Sequence, residues 1–178
     1  MKLFNKSYEE IDYDEIEIYS YNRGELLKKH LDDLELEKNR LLEEMEVEED
    51  FDKELELNKR VKYIEKYKPL LDELLDEERE LHPTAKLIIK LKIEDLILKE
   101  LDAIFQSEIT SPLMSRCIEE LRDGIIFRKE GEIKEVFSIC FSCAMIKSRS
   151  EGIIYGDRKF YESYQKILLK IGHNVNEI

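Results

Sequence analysis

Leucine and methionine side chains recur at helical spacing in the first quarter of the chain. From Glu25 onward, apolar residues follow one another at intervals of three, four and seven, and charged residues fill the other positions. Residues at these intervals share one face of an α-helix, so the pattern predicts a long amphipathic helix. The stripe is narrow and therefore needs a partner helix, from this chain or from another. We expect a protein interface at Leu27, Leu31, Leu34, Leu41 and Met45.

The remainder of the chain also favours helices. Only six glycines and three prolines occur in 178 residues, while Leu, Ile, Glu and Lys are abundant. This is the composition of long helices, and the predicted fold class is all-α. A short segment at 13–21 alternates like a strand, and we interpret it as an extended lead-in or a strip that binds a partner. The further helices are predicted from Phe51, from Pro69, over 87–105 as a buried central helix, over 113–126, over 132–146, and after Asp157.

Charge divides the chain into two parts. Residues 1–82 hold 27 acidic and 14 basic residues, whereas residues 83–178 hold 15 of each, so the whole net charge of −13 lies in the first part. We expect residues 1–82 to form an acidic, extended helical region, as a hairpin or arm, and residues 83–178 to form a compact helical bundle. An acidic region repels nucleic acid and favours basic protein surfaces, although it can also be a solvated face that keeps a protein soluble.

The sequence predicts a cytoplasmic or nucleoid-associated protein that does not enter a membrane. It has no apolar run of the length that a membrane span requires, and its first residues lack the apolar stretch of a signal peptide. Three cysteines cannot all pair with one another, which argues against a disulfide scaffold.

A C-x-x-C motif is the most suggestive local pattern. On a helix, Cys140 and Cys143 would lie on one face and could ligate a metal, with Cys117 and His173 as further ligands. A strong zinc signature has two such pairs, and the apolar neighbours of this motif favour cysteines that pack as small core residues. We therefore predict neither a metal site nor a cofactor, and keep a cysteine-ligated metal or iron–sulfur protein as an alternative.

Basic residues of the second part suggest a weak contact with single-stranded nucleic acid. They bracket a loop in which a tyrosine could stack on a base. An ordinary solvated surface is the alternative interpretation, because this part of the chain has no net charge. The candidate residues are Lys147, Arg149, Tyr155, Arg158 and Lys159.

Catalytic patterns do not stand out. The sequence contains no glycine-rich phosphate loop, no G-x-S-x-G motif and no H-E-x-x-H motif. Carboxylates are so numerous that no catalytic pair can be singled out. We therefore predict no catalytic residues and a protein that is not an enzyme.

The segment EVFSICFSCAMIKSRSEGIIYGDRKFYESYQKILLKIG resembles the helical domain of GINS proteins, especially the archaeal members. The similarity covers residues 111–172 and consists of an apolar helix that ends in basic residues, a loop, and a last helix. The resemblance implies a helical, non-enzymatic subunit of a replisome assembly that joins the replicative helicase to other replication factors. The positions of the last helix that carry it are Arg158, Phe160, Tyr161, Tyr164, Ile167 and Leu168.

These observations together predict a structural or adaptor subunit of a macromolecular complex, with protein partners in a homo- or hetero-oligomer. The alternative is a small helical subunit of a nucleoprotein machine, such as a CRISPR effector or a viral replication complex.

Overall fold

The chain combines helices with one large sheet, and the predicted all-α fold is therefore wrong. The computed structural model describes residues 8, 11–67, 71–113 and 120–175, and this part of the chain holds four helices and six strands. The helices are α1 (Gly24–Val47), α2 (Phe51–Lys66), α3 (Leu96–Phe105) and α4 (Arg158–Lys170). The strands are β1 (Glu15–Ser20), β2 (Lys86–Lys92), β3 (Asp123–Lys129), β4 (Glu132–Cys140), β5 (Met145–Ser148) and β6 (Gly152–Tyr155).

All neighbouring strands of the sheet run antiparallel, in the order β2-β1-β3-β4-β5-β6. Strand β1 is the segment that alternates in the sequence. It lies inside the sheet, where Ile18 faces Ile89 of β2 on one side and Ile125 of β3 on the other. The segment is therefore an interior strand and not a lead-in, because two distant parts of the chain supply its hydrogen-bonding partners.

Strands β3 and β4 form a hairpin where two helices were expected. Glu130 and Gly131 both have positive φ, 52° and 82°, which matches the two-residue turns that suit the twist of paired strands. Ile125 and Phe127 belong to the core on one face of the sheet, while Ile126 packs into the core on the other face. A strand that is buried on both faces has a continuous run of apolar residues in its sequence. Periodicity does not distinguish such a run from the sequence of a buried helix.

The predicted helical bundle over 83–178 is wrong for the same reason, and so are the helices expected over 113–126 and 132–146. Strands β3 to β6 occupy most of the range from 123 to 155. The expected central helix over 87–105 divides into β2 and α3, because the Asp95 carboxylate accepts a hydrogen bond of 2.7 Å from the Lys92 amide and forms a turn. The segment 71–85 is a loop, and the predicted start at Pro69 lies outside the described residues.

Helix α4 is predicted correctly. Its N-cap, Asp157, accepts a hydrogen bond of 2.8 Å from the Phe160 amide, and Gly172 follows the last turn with a φ of 82°. Together with α3 it covers one face of the sheet. The main core forms there and includes Ile16 and Ile18 of β1 with Phe105 and Tyr164 of the helices.

The opposite face of the sheet carries a second, smaller core. The loop 71–85 contributes Leu74 and Leu75 to it, and the sheet contributes Ile126, Val136 and others. The Leu74 amide donates a hydrogen bond of 2.9 Å to Ser138 Oγ on β4, which fixes this loop on the strands. Loop residues thus cover apolar strand positions on this face.

Helices α1 and α2 form the hairpin that the sequence predicted. Leu41, Val61 and Ile64 make a third core between them, and Asp50 caps α2 by accepting hydrogen bonds from the Asp52 and Lys53 amides. The hairpin is inserted between β1 and β2, which pair directly with each other. Among the described helices, none is both long and apolar enough to cross a membrane.

Gly124 provides a test of the second core. A Cβ atom at this position would lie 2.6 Å from Leu74 Cδ2 and 2.9 Å from the Phe137 carbonyl oxygen. We expect Gly124→Ala to lower the free energy of unfolding by about 1–3 kcal/mol, because the strand carbonyl cannot move away. Urea denaturation measures the change. In the control, Gly172→Asn, the surroundings are open and Asn tolerates the left-handed conformation at a helix end, so a much smaller loss is expected. Equal stability of Gly124→Ala and the wild type would contradict the packing described.

Candidate functional site: a helical arm with an acidic tip and a histidine cluster at its base

The tip of the helical hairpin concentrates negative charge around exposed apolar side chains. Residues 43–56, which we call the acidic tip, contain nine acidic residues and one basic residue, Lys53. Val47 at the end of α1 is 78% exposed, and Phe51 at the start of α2 is 74% exposed. A single exposed apolar residue is ordinary, but two large ones beside one turn form a local apolar surface within a charged rim.

The turn that carries these two side chains is well defined. The Lys53 ammonium forms ion pairs with Glu48 at 2.5 Å and Glu44 at 3.2 Å, and its hydrogen bond to Glu48 lowers the pKa of that carboxyl group. The Asp50 cap fixes the first turn of α2. Val47 and Phe51 therefore have a fixed backbone geometry although their side chains face solvent.

The predicted interface stripe is divided between the interior of the hairpin and its surface. Leu41 is buried against α2, and Leu34 and Met45 pack at the edge of the same cluster. Leu27 is half-buried and Leu31 is exposed. Most of the stripe thus contacts the second helix of the same chain, while the exposed apolar residues at the tip lie outside it.

Two histidines and a tyrosine meet at the base of the hairpin and form a cluster that no spacing pattern in the sequence indicates. The Tyr67 hydroxyl, just after α2, lies 3.2 Å from His30 Nε2 on α1 and 3.2 Å from His82 Nε2 in the loop before β2. His82 Nε2 also lies 3.8 Å from an oxygen of Asp72. The cluster lines a cleft of about 830 Å³ between the hairpin and the loop 71–85.

The hydrogen bonds of His82 determine its tautomer. The Thr84 amide can only donate, and it donates to His82 Nδ1 at 3.2 Å, so the ring hydrogen is on Nε2 and points to the Tyr67 hydroxyl. Burial, together with the neighbouring His30, lowers the pKa of His82 from its ordinary value of 6.5 to about 4. Burial raises the pKa of both Tyr67 and Asp72. The His82 side chain is therefore neutral near pH 7.

The rest of the cleft is acidic. Six carboxylates and three basic side chains line it, and the ammonium of Lys147 is held by Glu73 at 2.6 Å. Such a surface repels an anionic polymer. The acidic lining residues are Asp72, Glu73, Asp76, Glu77, Glu78 and Glu80.

The five predicted nucleic-acid residues do not form one patch. Lys147 and Arg149 line the cleft described above, whereas Arg158 lines a different pocket beside α4 and pairs with Glu162 at 2.7 Å. Tyr155 is half-buried against the second core, and Lys159 is exposed at the start of α4.

The two cysteines of the C-x-x-C motif lie close together, with the Cys143 amide donating a hydrogen bond of 3.3 Å to Cys140 Sγ, but they are not on a helix. Cys140 is a buried free thiol at the end of β4, and Cys143 takes part in a disulfide bond in the turn that follows, so the helical geometry expected for the motif is wrong. Cys117 lies outside the described residues. Within the described ranges, His, Cys, Asp and Glu side chains form no group of three or more that could hold a metal ion.

His173 instead joins a buried ionic network. Its Nε2 atom lies 2.6 Å from an Asp123 oxygen, and the other Asp123 oxygen accepts a hydrogen bond from the Arg23 guanidinium. Arg23 also donates to the Val175 carbonyl. The network ties the residue before α1 to β3 and to the chain after α4. These residues are too far apart in the sequence for any local motif to reveal them.

Acid should weaken the fold through His82. Because the pKa of His82 is about 4 in the folded protein and ordinarily 6.5, the unfolded chain takes up a proton first as the pH falls. We expect the wild type to exceed His82→Gln in stability near pH 7, and this difference to shrink between pH 6.5 and 4. Urea denaturation of both proteins at each pH measures it. A difference that does not change with pH would show that His82 is not held in its neutral form.

Removal of the Asp123 charge should destabilise the protein strongly. Asp123→Asn leaves the buried Arg23 guanidinium without its counter-charge, and we expect a loss of about 3–5 kcal/mol in the free energy of unfolding. The control is Asp12→Asn, which removes an exposed ion pair of 3.0 Å with Lys129 and should cost less than about 1 kcal/mol. Similar losses in the two variants would contradict a structural role for the buried network.

Comparisons of the chain with protein-family models, with curated proteins and with solved structures found no significant match.

Proposed function

We propose that this protein is an adaptor that binds a partner protein through the acidic tip of its helical hairpin. The observation that carries the proposal is the exposure of Val47 and Phe51 among nine carboxylates at the end of a projecting arm. The arm has its own core and is inserted between two strands that pair without it, so its length and charge are not needed to complete the sheet.

The charge of the tip specifies the kind of partner. Residues 43–56 carry a net charge of −8, whereas residues 83–178 are neutral. Complementary charge increases the rate of association and excludes partners of like charge. The fitting partner is a protein with a basic surface, because a nucleic acid or the same tip of a second copy would be repelled.

The apolar side chains provide the contact area that charge alone does not. Large side chains that fill a pocket at the centre of an interface contribute most of the binding energy, and the surrounding polar groups exclude water. Phe51 and Val47 have this arrangement with the carboxylates as the rim. The partner is therefore expected to offer an apolar pocket surrounded by Lys and Arg side chains.

The replisome role that the GINS resemblance implied is not part of this proposal, since the stretch before its last helix forms strands β4, β5 and β6 and not an apolar helix followed by a loop. The nucleic-acid function is also not favoured. Three of its candidate cations line two separate pockets, and the cleft that holds Lys147 and Arg149 is lined by six carboxylates, which repel an anionic polymer.

Substitution of the two apolar tip residues tests the proposal. The double variant Val47→Ser/Phe51→Ser and the wild type are immobilised side by side and exposed to lysate of the source cells, and a protein retained only by the wild type is purified. Direct titration calorimetry with that protein should show a dissociation constant at least about tenfold higher for the variant. Binding by the wild type should weaken as salt is added, because the tip charges are exposed.

The matched control is Leu169→Ser, which removes another half-exposed apolar side chain on α4, away from the hairpin. It should bind like the wild type. Equal retention of every protein by the tip variant and the wild type would overturn the proposal. Light scattering tests for a second copy of the chain as the partner. If the wild type forms a stable dimer that the tip substitutions dissociate, the tip binds another copy of this chain and not a basic protein.

A further inference from the structure

A second pocket, distinct from the hairpin and its base, lies where the start of β3, the turn between β4 and β5, and α4 meet. Its volume is about 520 Å³, which is within the range of pockets that hold small organic ligands. Three of the nine arginines of the chain line it, Arg23, Arg122 and Arg158, and no lysine is among its described lining residues. Guanidinium groups, unlike ammonium groups, bind carboxylate and phosphate groups through paired hydrogen bonds.

Two buried polar atoms of this pocket's lining residues have no hydrogen-bond partner. One is Arg122 Nε, and the other is the hydroxyl of Tyr161, a residue that is only 7% exposed. An interaction with the Gly156 backbone lowers the pKa of the Tyr161 hydroxyl, while burial, the larger effect, raises it. Buried polar groups are nearly always paired in folded proteins. Among the four unpaired buried side-chain atoms of the described residues, Arg122 Nε is the one that belongs to a charged group, and its residue lines this pocket. Arg122 Nε can only donate, and the missing partner is therefore an acceptor.

The three arginines differ in how firmly they are held. Arg23 belongs to the buried network with Asp123 and serves as a wall of the pocket. Arg158 is 83% exposed on its side chain and pairs with the exposed Glu162, an arrangement that contributes little to stability. Arg122 pairs with Glu120 at 3.0 Å through one terminal nitrogen, which leaves Nε without an acceptor. A ligand anion can therefore engage Arg122 and Arg158 while Glu120 and Glu162 turn to solvent.

Apolar side chains complete the pocket. The Phe141 ring stands edge-on to the Tyr161 ring, with centroids 5.8 Å apart, and Leu113 and Val175 also line the cavity. These side chains suit a flat apolar body attached to the anionic group. Most small-molecule sites combine an apolar lining with a few polar groups that fix orientation.

We propose that this pocket binds a small organic anion, whose carboxylate or phosphate group is held by Arg122, Arg158 and the Tyr161 hydroxyl while its apolar body packs on Phe141. The site is independent of the acidic tip, so either one can function without the other. Its ligand is a metabolite-sized molecule and not a polymer, because the pocket is bounded by Glu120 and Glu162.

Nuclear magnetic resonance titration of the full, ¹⁵N-labelled chain tests the proposal with three probes. Phenyl phosphate and benzoate carry the anion, and benzyl alcohol is the neutral control. We expect the two anions to give saturable shifts for amides around Phe141 and the start of α4, and benzyl alcohol to bind at least about tenfold more weakly. If only one anion saturates, the result identifies the group that the arginines prefer.

Three variants locate the contact. Arg122→Gln should raise the dissociation constant of the bound anion by about tenfold or more, because its buried donor is lost. Tyr161→Phe removes only the hydroxyl, preserves the packing and should weaken binding by a smaller factor. Arg149→Gln, which removes an exposed arginine that lines the other cleft, should leave binding unchanged. Absence of saturable shifts for both anions in the wild type, or equal affinity of the wild type and Arg122→Gln, would overturn the proposal.

Discussion

The pairing of β1 with both β2 and β3 is the constraint on which the rest of the fold depends. Glu15 at one end of β1 faces Lys92 and Arg128, and Ser20 at the other end faces Lys86 and Asp123. The chain between Ser20 and Lys86 must therefore leave the sheet and return to the same place. A helical hairpin meets this requirement, because α1 leads away from the sheet and the antiparallel α2 leads back toward it. The cost in loop-closure entropy grows only slowly with the length of the insertion.

This arrangement separates the protein into a body built on the sheet and a helical arm whose tip is strongly acidic. The body buries its apolar residues on both faces of the sheet, under α3 and α4 on one side and under loop residues on the other. The arm buries only the contact between its two helices. Because the arm is not needed to cover the sheet, most of its surface is free to carry the acidic residues that would be costly inside the body. The proposed division of roles, an arm for a basic protein and a pocket in the body for a small anion, follows from this separation.

The three residues after β1 connect these regions. The Asn22 amide donates a hydrogen bond of 2.7 Å to Thr84 Oγ1, and its side chain donates one of 3.1 Å to the Leu121 carbonyl. Thr84 in turn contacts His82 in the cluster at the base of the arm, and Arg23 contacts Asp123 beside the anion pocket. The point where the arm leaves the body is thus fixed by buried polar contacts, which gives the arm a defined base.

Local patterns in the sequence predict those elements that depend on neighbouring residues. The stripe of Leu34 and Leu41, the turn before Phe51 and the cap at Asp157 all depend on residues within a few positions of one another, and each of these elements is present. The strands β3, β4 and β5, in contrast, are recognised only in the folded chain. Ile125, Ile126 and Phe127 are all fully buried because loops cover one face of the sheet and helices the other, so the alternation that marks a strand is lost. The tertiary structure also brings together Arg23, Asp123 and His173, and places His30 beside His82, since long-range strand pairing and not sequence spacing sets these distances.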